Sequence, residues 1–205
     1  MAKNFHTKQS GFTLVEMLVV IFIAGIVSYL VINFQINIFS LNKTSTDSMN
    51  AQTDARNTLK TMSAEIRSMS AANDGSYAIS LASTSSLIFF DDIDNDTIKE
   101  RIRYFMSGST LKKGVIEPTG SPLTYNTANE KTSTLVNDVA NGSTPIFYYY
   151  DKNYDGTSAP LATPINIPQV RLIKVYVVID KDSKRPPAPI VVTTQISIRN
   201  LKDNL

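Results

Sequence analysis

Glu16 is the residue whose placement most demands a chemical account. The stretch Leu14 to Ile32 is apolar apart from Glu16 and Ser28, and from Met17 to Asn42 the only ionisable side chain is Tyr29. A carboxylate inside a run that hydrophobic is expensive to place in a bilayer, so an acid there points to function. Phe12 lies four residues earlier, one helical turn away on the same face and about 6 Å along the axis. Other chemistry-bearing groups are sparse. His6 is the only imidazole, and the chain has no Cys, which excludes disulfides, thiolate zinc sites and cysteine nucleophiles. No nucleophile-elbow or phosphate-loop pattern is present. Two acidic stretches, Asp92-Ile93-Asp94-Asn95-Asp96 and Asp151-Lys152-Asn153-Tyr154-Asp155-Gly156, place oxygen ligands at alternate positions, as the opening of a calcium loop requires. Registers of about 12 residues from Asp92 and Asp151 end at Arg103 and Ala162 rather than at a bidentate Glu. Asp and Asn also favour plain turns through local hydrogen bonds. Calcium is thus the one cofactor the pattern suggests, with Asp151, Asn153 and Asp155 as ligands because Gly156 can supply the turn. Tyr148-Tyr149-Tyr150 beside Lys152 could stack bases or sugars, although a strand of aromatics turns alternate residues into the core.

The elements that hold these residues follow from hydrophobic period. The 19 residues Leu14 to Ile32 would span roughly 29 Å as a helix, close to the hydrocarbon thickness of a bilayer. The run is too long for a secretory signal h-region, and no A-x-A-like site closes it. Lys3 and Lys8 precede it and the next basic residue is Lys43, so the first residues are expected in the cytoplasm and the rest outside. Beyond the span, Leu41, Ser45, Ser48, Gln52, Ala55, Leu59, Met62, Ile66 and Met69 recur at steps of three and four, with Asp54, Arg56, Lys60, Glu65 and Arg67 expected on an exposed side. Asn33, Gln35 and Asn37 are placed to loosen the helix, and Asn73-Asp74-Gly75 to end it.

After residue 75 the period becomes that of strands: Leu87 to Asp91, Thr97 to Met106, Ser109 to Val115, Ile146 to Tyr150, Val170 to Asp180 and Ile190 to Arg199. The last two are expected to form a hairpin around a proline-rich loop over 181–189. Residues 117–145 read as a polar insertion in which Leu135, Val136 and Val139 anchor a short helical turn. The expected fold class is α+β, one long helix, transmembrane and then amphipathic, packed on an antiparallel β-sheet head.

Ser10-Gly11-Phe12-Thr13-Leu14-Val15-Glu16-Met17-Leu18-Val19, with a short basic leader before it and an uncharged apolar run after it, resembles the class III signal of type IV prepilins and type II secretion pseudopilins. Weaker likeness to the minor pilins and J-type pseudopilins rests on Met62-Glu65-Ile66-Arg67, Leu87 to Asp91, Ile146 to Asp151 and Ile198-Arg199-Asn200. The resemblance implies cleavage after Gly11 by a prepilin peptidase, methylation of the new amino terminus at Phe12, and a role for Glu16 in assembly, where it receives the ammonium of a neighbouring subunit. It divides the chain into a cleaved leader (1–11), a transmembrane helix (12–34), an amphipathic stalk (35–74) and a β-rich head (75–205).

The implied partners are other pilin or pseudopilin subunits, the prepilin peptidase, an inner-membrane assembly platform and membrane lipid. The implied location is the cytoplasmic membrane and then a surface or periplasmic filament. Twenty basic against eighteen acidic residues leave the chain near neutral, so nucleic acid is not an expected partner. An enzyme is not expected either, because removal of the leader takes His6 with it. Within the same class, the alternative is an adhesin or DNA-uptake subunit whose head loops hold the ligand.

Overall fold

In the computed structural model, residues 11–181 and 188–198 are described. The leader residues Lys3, His6, Lys8 and Ser10, positions 182–187 of the proline-rich loop, and Arg199-Asn200 lie outside them. The chain divides into two units, through Thr46 and from Asp47 onward.

The first unit carries the start of helix α1 (Leu14–Ser68). Its apolar side chains meet nothing: Leu14 is 81%, Phe22 67% and Phe39 72% exposed, as expected of a surface built for hydrocarbon rather than for a protein core. Of the described helices, α1 is long and apolar enough to cross a membrane. The helix continues through Asn33, Gln35 and Asn37, where loosening was expected. Asn33 Nδ2 donates to the Tyr29 carbonyl at 2.9 Å, and Ser40 Oγ donates to the Asn37 carbonyl at 2.9 Å. These side chains bond back to the preceding turn instead of competing for a different backbone path.

In the second unit, Ala55, Leu59, Met62 and Ile66 of α1 and Met69 just beyond it are buried, the seam expected from their spacing. They belong to one apolar core with residues of two antiparallel sheets. The first has the order β1 (Ile79–Ala82), β2 (Ser86–Asp91), β3 (Glu100–Ser107), β4 (Thr110–Ile116), β5 (Lys131–Val136). The second has the order β6 (Phe147–Tyr150), β7 (Leu172–Ile179), β8 (Ile190–Ser197). The expected hairpin is β7 with β8, whose register pairs Val175 with Thr194 and Ile179 with Ile190. The sheets are knitted at their junction. Ile146 and Phe147 N–H groups both donate to the Thr84 carbonyl, and the Val139 N–H donates to the Ser109 carbonyl at 2.8 Å.

Two strand expectations need correcting, and one strand was not expected. Residues 131–136 form strand β5, not a helical turn: Leu111 pairs with Val136 and Lys112 with Thr134, so cross-strand pairing decides a segment whose first four residues are polar and carry no hydrophobic alternation. Ile79–Ala82 adds an edge strand that its polar neighbourhood hides. The strand expected from Thr97 starts at Glu100, because Asn95 and Thr97 take positive φ (62° and 76°) in the preceding loop.

Candidate assembly site

Gly11 and Phe12 precede α1 and are exposed, Phe12 by 79%, and an added Cβ on Gly11 would meet nothing within 4 Å. The Gly11-Phe12 peptide bond therefore lies outside the helix and its hydrogen-bond ladder. Thr13 is the residue before the first helical turn. Its N–H and its Oγ1 donate to Glu16 Oε2 at 2.9 and 3.0 Å, and the Glu16 N–H donates to Thr13 Oγ1 at 3.2 Å. This reciprocal pair is a capping box, which satisfies amide donors that the first turn of a helix leaves orphaned. The sequence signal was present as Thr13-x-x-Glu16 before an apolar run, and it gives the acid a local partner in the uncleaved chain.

The acidic loops behave differently from one another. Asp151 Oδ1 accepts from the Asn153 N–H at 2.9 Å and its Oδ2 from Asn153 Nδ2 at 3.1 Å. Asp155 Oδ1 accepts from the Thr157 N–H at 2.9 Å, Thr157 Oγ1 at 3.0 Å and the Ser158 N–H at 2.8 Å. Those bonds, the Thr157 amide first, hold the Asp155 carboxyl down to about 2. The convergence of carboxylates lies in the other loop, where oxygens of Asp92, Asp94 and Glu100 come within 4.8 Å of one another. Asp91 pairs with Glu100 across β2 and β3, which is what brings Glu100 there and what no local pattern announces. Glu100 Oε2 accepts from the Ile93 N–H at 2.9 Å and Asp92 lies 3.5 Å from Lys99, while burial pushes the Glu100 carboxyl up.

Of the tyrosines, Tyr149 is core. It is 1% exposed, and its hydroxyl donates to the Ser83 carbonyl at 2.8 Å. Tyr150 is buried with its ring 4.1 Å from that of Tyr154, which leaves Tyr148, near Lys174, as the half-buried member.

Glu65 is not on the exposed side of α1 as expected. Its side chain is 14% exposed, Oε1 accepts from Lys113 Nζ at 2.7 Å, and Oε2 accepts from the Tyr104 hydroxyl at 2.5 Å. Burial and the adjoining carboxylate push the Tyr104 phenol far up, so it serves as a permanent donor. One turn on, Ser68 Oγ donates to Asp91 Oδ2 at 2.8 Å, and burial raises the Asp91 carboxyl above its ordinary 3.8.

A carboxyl raised in the folded state binds its proton more tightly there than when unfolded, so keeping Asp91 ionised costs stability at neutral pH. That cost is relieved as pH falls toward and below 3.8. Asp91→Asn, whose amide carbonyl can still accept from Ser68, is therefore expected to raise the unfolding midpoint at pH 7. The gain should shrink on acidification, as read by thermal unfolding across the acid range. A difference that grows on acidification would show the opposite linkage.

Residues 6–28 match the family model of the prokaryotic N-terminal methylation motif. No curated protein matches the chain significantly.

Proposed function

We propose that this chain, which carries the N-terminal methylation motif of class III-signal prepilins and pseudopilins, is a subunit that joins, primes or tips a type IV pilus or a type II secretion pseudopilus. Proteins that carry this motif as pilins serve a structural rather than a catalytic role, and the same role is proposed for this chain. The observation that carries the reading is the junction itself: an exposed Gly11-Phe12 bond, a capped helix start, and then an apolar surface with one acid. On this reading a prepilin peptidase cleaves after Gly11 on the cytoplasmic side and Phe12 is N-methylated. The head faces away from the cytoplasm, and an assembly platform extracts the subunit from the bilayer. Cleavage creates an ammonium at Phe12, and Glu16 is the carboxylate available to one in a neighbouring apolar helix. Asp151, Asn153 and Asp155 are the calcium ligands on this reading, since carboxylate oxygens that accept turn hydrogen bonds keep lone pairs for a cation.

The test is intact-mass and amino-terminal analysis of the chain produced with a prepilin peptidase. The expected product starts at N-methylated Phe12 and fractionates with sheared filaments. A chain that keeps Met1 in the presence of an active peptidase would refute the assignment.

A further inference from the structure

Between α1 and strand β8 runs a groove of about 670 Å³. Its floor is mixed, with Leu59 and Val192 buried and Ser63 hydrogen-bonded to Thr194 at 3.2 Å, Val191 stands 50% exposed beside it, and its rim carries Arg56, Lys60 and Arg67. All three cations are exposed, none makes an ion pair among the described residues, and no carboxylate lines the groove. The same chain displays the converse surface. The loop Asp92-Ile93-Asp94-Asn95-Asp96 sets an isoleucine 36% exposed among three aspartates. Its shape is held by its own carboxylates: Asp92 Oδ1 accepts from the Asp96 N–H at 3.1 Å, Asp92 Oδ2 from the Thr97 N–H at 3.0 Å, and Asp96 Oδ1 from the Ile98 N–H at 2.7 Å. Asp92 is paired with Lys99, which leaves Asp94 and Asp96 as the loop's outward anions; they match a groove rimmed by cations, and the loop would lose little freedom on docking.

We propose that the groove receives the Asp92–Asp96 loop of a second copy of this chain. The inference rests on the filament reading above and adds the head contact that would set subunit spacing. Asp91 is bonded to Ser68, so the loop stands at the carboxyl end of α1, whereas Lys60 and Arg56 lie eight and twelve residues earlier. A neighbour displaced along the helix by about 12 to 18 Å would bring its loop beside them. The two surfaces differ, so the contact is heterologous, and repeated without closure it builds an open helical array rather than a closed dimer.

The chain lacks cysteine, which permits a direct test in the full-length protein in membranes with its assembly system. Differently tagged chains carrying Lys60→Cys and Asp94→Cys are co-expressed and oxidised. The expected result is a mixed dimer at about tenfold the yield of either substitution alone, and a ladder from the doubly substituted chain. In parallel, Lys60→Glu lowers recovery in sheared filaments by about fivefold and Asp94→Lys in the same chain restores it. Normal filament recovery without the mixed dimer would overturn the groove contact and leave the filament reading standing. Absence of the subunit from filaments altogether would overturn both. Capture of Lys60→Cys solely by a different protein would replace the second copy as occupant.

Discussion

Replacing Glu16 by Ala is expected to leave peptidase processing and membrane insertion intact and to lower the fraction of subunit recovered in sheared filaments by about tenfold or more. Insertion becomes easier because a charge is removed from the apolar run. Assembly suffers because the ammonium of a neighbouring Phe12 would enter a layer of apolar helices with no anion opposite. Glu16→Gln falls between the two, since an amide oxygen accepts a hydrogen bond without supplying charge.

The capping box makes a second arm necessary, because Glu16 also bonds to Thr13. Thr13→Ala removes the hydroxyl that shares the cap but leaves the carboxylate, so a receiving role predicts near-normal filament recovery in that variant. Equal losses in Thr13→Ala and Glu16→Ala would reassign the acid to capping. Equal recovery of wild type and Glu16→Ala would remove it from assembly altogether.

The second large effect lies at Glu65. In a fragment starting at residue 36, which keeps every buried residue of the core, Glu65→Ala is expected to destabilise by about 2 to 4 kcal/mol. The substitution strands the Tyr104 hydroxyl and the Lys113 ammonium in a site where the side chains of the ion pair are 14% exposed. It also relieves repulsion between Glu65 and Asp91, which offsets part of the loss. For a chain of this size the midpoint should fall by roughly 5 to 15 °C in a near-UV thermal scan.

Tyr104→Phe removes one donor from a carboxylate that keeps its lysine, so about 1 kcal/mol is expected. The double variant should lose less than the sum, because both substitutions act on one bonded unit. Additive losses, or a midpoint for Glu65→Ala within about 1 °C of wild type, would show that the contact contributes nothing to the docking of α1.

The difference between Glu16 and Glu65 explains what could be read from sequence. Glu16 stands out because every neighbour along the chain is apolar, so local context alone exposes it. Glu65 sits among Asp54, Arg56, Lys60 and Arg67 and resembles them. Its distinction comes from Tyr104 on β3 and Lys113 on β4, residues 39 and 48 positions away.

The same rule sorts the strands. β7 alternates half-buried with buried residues and β8 alternates exposed with covered ones over eight positions, and both were legible with their pairing. β5 is exposed at its first four residues and owes its conformation to β4, so its period carried no signal. Gly114 is a further case. Its missing side chain makes room for Glu130, whose carboxylate would lie 2.2 Å from an added Cβ and which reaches Arg103 instead. Neither the glycine nor the acid hints at the other along the chain.

β5 also bears on how such subunits can be stored. Molecules tethered to a sheet of lipid meet one another at high lateral density, and a bare strand edge in that crowd invites stacking of one sheet onto the next. This edge offers Lys131, Thr132, Ser133 and Thr134, all exposed, with a lysine at its mouth and no hydrophobic side chain until Leu135. A neighbour attempting to continue the sheet would gain backbone bonds but no dry interface between side chains. On the filament reading, this edge would therefore not add to the sheet of a neighbouring subunit, and contacts between heads would be left to side-chain surfaces such as the groove beside β8.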